Sequence, residues 1–143
     1  MNAGVRLLHA GLTEKVLGVF YDVYNELGHG FLESVYEEAM SIALRQAGLR
    51  VDRQLPLKDM FRDFLVGDFR ADVVVDRAVL LELKAATGLD PAHEAQLLNY
   101  LRATEIEVGL LLNFGPKPQF KRMVFENSKK GSRGSTRINA DRK

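Results

Sequence analysis

The sequence predicts an α/β domain, a mixed β-sheet flanked by helices with its elements in the order α-α-β-β-β-α-β-β. Three observations carry that expectation. Two helix-length stretches with helical apolar spacing come first, short and partly alternating β-rich runs fill the middle, and one capped helix separates those runs from a last pair. No segment repeats.

The spacing of Leu12, Val16, Val19, Phe20, Val23 and Leu27 predicts a helix over 12–27, stopped by Gly28-His29-Gly30. A second helix is expected over 31–47, where Glu, Ala, Leu and Met dominate without Gly or Pro until Gly48. From Leu49 the texture turns to strand. Val51, Leu55, Leu57, Phe61, Phe64 and Val66, then 71–75 and 79–85, read as three strands, the last two a tight hairpin. Asp90-Pro91 is an N-cap followed by proline at the first helical position, opening a helix that runs to about Ala103. Residues 108–114 form a buried strand closed by Gly115-Pro116, and 120–125 a final edge strand.

The 143 residues are the size of one domain, expected over 1–127, with a basic, disordered tail over 128–143. The hydrophobic share of 46% and charged share of 27% are those of a globular chain. No apolar run is long enough to span a membrane, and the start has no secretory leader pattern, so a cytoplasmic location is expected. Cysteine is absent, which excludes disulfides, thiolate zinc, a cysteine nucleophile and cysteine-ligated iron–sulfur clusters. Any bound metal needs oxygen or imidazole ligands. The formal charge of +1 hides an uneven split, because the last sixteen residues carry six Lys/Arg and one Asp, leaving the body mildly acidic.

The hairpin is where chemistry enters. Side chains alternate across a strand, so Ala71, Val73 and Val75 share one face, and Val79, Leu81, Leu83 and Ala85 share the matching one. Aligning these rows sets Val75 opposite Val79, Val73 opposite Leu81 and Ala71 opposite Leu83, with Asp76-Arg77-Ala78 as the loop. That register places Asp72 directly across from Glu82. Two facing carboxylates repel unless a cation or a shared proton lies between them, and Mg²⁺ (or Mn²⁺) suits an all-oxygen site. Lys84 lies on the face of Glu82, where its ammonium can orient an attacking water or meet phosphoryl charge. The plainer alternative is a solvated salt-bridge ladder on an exposed sheet face.

Gly30-Phe31-Leu32-Glu33-Ser34-Val35-Tyr36 resembles the signature of the GxxExxY proteins, a group assigned to the PD-(D/E)XK nuclease superfamily. The likeness extends through Arg53-Gln54-Leu55-Pro56, Asp72, Glu82-Leu83-Lys84, Gln96-Leu97-Leu98-Asn99-Tyr100-Leu101 and Gly109-Leu110-Leu111-Leu112-Asn113-Phe114-Gly115. The resemblance implies a restriction-endonuclease-like fold and metal-dependent hydrolysis of phosphodiester bonds, in DNA in preference to RNA. It implies Glu33 as an acidic residue supplied by the helix before the sheet. It also likens Gln96 and Tyr100 to the QxxxY element of RecB-like nucleases. On this reading Asp72 and Glu82 hold the metal with the Leu83 carbonyl alongside, and Lys84 activates water.

Each added residue also has a bland reading. Glu33 suits the first turn of a helix whether or not it meets metal. Tyr36 fits a core position with a bonded hydroxyl, and His93 a helix-terminal histidine, though near neutral pH it can also serve as a base or phosphate contact. Gln54 borders the site. The basic tail either aids solubility or attracts nucleic acid. Two rivals stand beside the nuclease: a catalytically silent module that binds nucleic acid or protein on the same fold, and a purely structural domain. The first helix's stripe docks on its own sheet or on a second subunit, which leaves a homodimer open.

Overall fold

The computed structural model describes residues 8–130 and 137–138. Helix α1 (Ala10–Leu27) buries Val16, Val19, Phe20 and Val23, and ends where the Gly28 N–H donates to the Tyr24 carbonyl at 2.7 Å. Gly28 and Gly30 take φ values of 70° and 110°, open to glycine at little cost, and the chain then runs extended through Leu32. Helix α2 (Glu33–Gln46) therefore begins two residues later than its composition suggests. It closes at Gly48, φ 87°, with Leu49 N–H bonded to the Leu44 carbonyl.

The strands are β1 (Val51–Phe61), β2 (Phe64–Val75), β3 (Val79–Lys84), β4 (Val108–Phe114) and β5 (Pro118–Val124), with a two-residue β6 (Arg137–Ile138). Helix α3 (Pro91–Ala103) lies between β3 and β4, its first turn capped by Asp90, which accepts the Ala92 N–H at 2.8 Å. The sheet order is β5-β4-β3-β2-β1-β6. Among the described strands only β3 and β4 pair in parallel, which is the pairing that a helical crossover permits. The expected architecture and element order are present. β1 and β2 outrun the expectation, pairing from Val51–Val75 out to Phe61–Phe64 around a turn at Arg62 and Asp63 with φ of 50° and 69°.

Two cores form, one on each side of the sheet. Helices α1 and α2 pack on one face against Val73, Val75, Leu81, Leu83, Leu110 and Phe114. α3 covers the other through Leu97, Tyr100 and Leu101 over Val74, Leu80 and Leu111. The α1 stripe thus docks on its own sheet. One expected alignment fails: Ala71 belongs to the α3-side core with Leu55 and Leu57, not to the face of Val73 and Val75. Gln54 explains the change, since its φ of 49° breaks the pleat of β1 where β2 carries Asp72, so Val51 and Leu55 fall on opposite sides as Val73 and Ala71 do.

Past β5, Asn127–Lys129 form a 3-10 turn. The Lys130 ammonium donates to the Thr104 and Ile106 carbonyls at 2.8 and 2.9 Å, and its burial lowers its pKa. Of the tail expected over 128–143, residues 131–136 and 139–143 lie outside the described residues. No helix among the described residues is long and apolar enough to cross a membrane.

Candidate active site

The β2–β3 hairpin pairs Val75 with Val79, Val74 with Leu80 and Val73 with Leu81, around the three-residue loop that the apolar rows demand. There the backbone ladder stops. One step further the Leu83 N–H donates to Asp72 Oδ2 at 2.9 Å, and the Asp72 N–H approaches Glu82 Oε2 at 3.4 Å. Side-chain oxygens thus take the place of backbone carbonyls where the strands part. The parting has a cause: β3 stays in register with β4 as far as Lys84 and Asn113, whereas β2 follows β1 into the arm.

The two acids are crowded. Glu82 is 3% exposed, and burial followed by the charge of Asp72 pushes its carboxyl up to about 8. Asp72, half-buried, is also raised, mainly by burial, with the Leu83 N–H opposing and Glu37 and Glu33 adding repulsion. Lys84 favours the ionised form of both. The phenol of Tyr100 is pushed up to about 12 by burial and by the charges of Glu82 and Asp72, so α3 brings that ring within electrostatic reach of the pair.

From the other side α2 contributes two carboxylates. Glu33 is exposed at its first turn. Glu37, which the sequence reading missed, weighs more on Asp72 than Glu33 does, and is held by Arg53 Nε at 3.0 Å and Gln54 Nε2 at 2.8 Å. Its position one turn after Glu33 was the available signal. Gln54 itself sits on a left-handed backbone whose carbonyl accepts from Arg70 at 3.1 Å. Tyr36 does not face the carboxylates. Its ring stacks on Phe114 with centroids 4.1 Å apart, and its hydroxyl donates to the Gly28 carbonyl at 2.6 Å and accepts the Phe31 N–H at 3.3 Å.

A family model described as the PD-(D/E)XK nuclease superfamily matches residues 10–123. The chain belongs to the PD-(D/E)XK nuclease superfamily. Searches of the curated proteins and of the solved structures found no match. The pattern in the superfamily's name is met by Asp72, Glu82, Leu83 and Lys84, with Ala71 in the place of its proline.

The donors that this PD-(D/E)XK chain offers to an ion are hard oxygens, which suit Mg²⁺ or Mn²⁺. A buried carboxyl raised by its burial and by the charge of a half-buried carboxylate beside it is an arrangement that a cation relieves, so the residues fit such an ion. Among the described residues no three His, Asp or Glu side chains gather within reach of one ion, and Glu33 bears on Asp72 and Glu82 through its charge. On α3, Gln96 and Tyr100 line one groove of about 620 Å³. His93 is half-buried in the first turn of that helix, its Nδ1 buried and without a hydrogen-bond partner in the structure.

Proposed function

We propose that this PD-(D/E)XK chain is a metal-dependent nuclease that hydrolyses phosphodiester bonds, in DNA in preference to RNA, with Asp72, Glu82 and Lys84 at its centre. The observation that carries the reading is the meeting of Asp72 and Glu82 at the point where β2 and β3 part, with Tyr100, which feels the charge of both, lining an open groove.

Asp72 and Glu82 would hold Mg²⁺ or Mn²⁺ together with the Leu83 carbonyl. When bound, the ion supplies Lewis acidity toward a phosphoryl oxygen and lowers the pKa of a water. The Lys84 ammonium, half-buried beside the pair, orients the attacking water and meets the charge that develops on the phosphoryl oxygens. Tyr100, kept protonated by its surroundings, donates a hydrogen bond to substrate, and Gln96 one turn before it positions the scissile strand. Glu33 and Glu37 hold further negative charge on the α2 side and strengthen the pull on a cation. Water is the nucleophile, so no covalent enzyme intermediate forms.

The test pairs divalent-metal calorimetry with cleavage assays on single-stranded, double-stranded and branched DNA and on RNA. Asp72→Ala, Glu82→Ala and Lys84→Ala each reduce metal-dependent cleavage by about 100-fold or more. The acid variants also lose metal binding, whereas Lys84→Ala retains it. Undiminished cleavage by the triple variant refutes the site. Tight metal binding without turnover on any substrate favours the catalytically silent binding module.

A further inference from the structure

The arm formed by β1 and β2 outruns β3: Val73 is the last β2 residue paired to β3, while Phe64, Leu65 and Gly67 to Arg70 pair with β1. Its root forms one wall of the 620 Å³ groove and α3 forms the other, with Tyr100 common to the groove and to the electrostatic surroundings of Asp72 and Glu82. Phe69 is the conspicuous member of the arm's wall. It is 41% exposed, and its ring centroid is 5.7 Å from that of Tyr100. A Cβ on Gly67 would come within 2.6 Å of the Phe69 ring, so the absence of a side chain at Gly67 lets the ring lie down over the strand. The ring is thus held against Gly67 and Tyr100 with part of its surface left to solvent in the groove lining.

The rest of the lining fits flat, polar-edged guests. Gln96 and Asn99 offer amide donors and acceptors from exposed positions on α3, and the lining carries one Arg and one Asp, a formal balance of zero. A duplex is gripped chiefly through many cation–phosphate contacts, whereas a single strand combines fewer of these with bases stacked on aromatic rings. Further along the arm Phe61 and Phe64 pair across its tip at 57% and 71% exposure, with the Arg62 guanidinium 4.9 Å from the centre of the Phe61 ring.

We infer that the groove between α3 and the β1–β2 arm receives an unpaired stretch of nucleic acid, one base stacked on Phe69, and leads that strand to Asp72 and Glu82. The inference rests on the nuclease reading and assigns its substrate class: single strands, flaps or gapped ends instead of intact duplex.

The experiment uses the full chain in EDTA, which prevents metal-dependent cleavage, and a short oligonucleotide carrying 2-aminopurine, whose fluorescence falls on stacking. The unsubstituted chain binds the single strand more tightly than the same sequence as duplex and quenches the probe. Phe69→Ala weakens single-strand binding by about 5- to 150-fold and abolishes the quench. Phe69→Tyr restores both, and Phe69→Leu, which keeps the bulk without the ring, does not. Unchanged affinity and quench in Phe69→Ala, full function in Phe69→Leu, or a preference for duplex overturns the inference. Mn²⁺-dependent hydrolysis of bis(4-nitrophenyl) phosphate, a substrate with no need of the groove, separates the two ideas. If that hydrolysis persists while Phe69 proves irrelevant, the groove assignment alone falls. If the unsubstituted chain lacks it while Phe69-dependent binding is seen, catalysis falls and the groove stands as a single-strand binding site.

Discussion

Asp72 and Leu83 are joined by a side-chain to backbone hydrogen bond of 2.9 Å at the step where the β2–β3 ladder ends. That bond partly offsets the cost of burying Asp72, and it fixes the carboxylate beside Glu82. The carboxylate thus serves both the fold and the proposed metal site, and the two duties separate by mutation.

Asp72→Asn keeps an oxygen able to accept the Leu83 N–H but removes one of two repelling charges. Without divalent metal, its urea midpoint at pH 8 is expected to equal or exceed that of the unsubstituted chain, by up to about 1 kcal/mol. Metal binding measured by calorimetry is lost in the same protein. A clear loss of stability in EDTA contradicts the electrostatic account of the pair.

Glu82 sets a pH dependence. Its carboxyl stands near 8 in the fold against an ordinary value of 4.5, so between these values the native state holds a proton that the unfolded chain has released. The stabilisation is fully present below about pH 4.5 and is lost as the pH rises through about 8. In EDTA, Tm is expected to fall from pH 5 to pH 8.5 more steeply than in Glu82→Gln. Mg²⁺ reduces that fall, because the ion binds the ionised form. Parallel melting curves for the two proteins across this range would rule the effect out.

Tyr36→Phe tests a residue that has been read both ways. The hydroxyl ties Gly28 to Phe31 at the turn between α1 and α2, so its removal is expected to cost about 1–2 kcal/mol in chemical denaturation. Cleavage per folded molecule stays the same. A selective loss of turnover with unchanged stability would instead assign Tyr36 to the site.

The local pattern of side chains was enough to determine the element order and the hairpin register from Val73 to Val79, because a slip by one residue would break the matched row of Val73, Val75, Val79 and Leu81. It also brought Asp72 and Glu82 together, since their places follow from that register. What it missed depends on contacts distant in sequence. Ala71 changes face because Gln54, on a neighbouring strand, adopts a left-handed backbone, which alternation along a single strand does not reveal. Glu37 joins the acids of α2 because Arg53 and Gln54 hold it there, and Phe69 meets Tyr100 only once α3 packs against the arm. Periodicity assigns a residue to a face, but which residues gather in a cleft depends on where neighbouring strands part and which helix covers the gap, and both are set by packing of the whole chain.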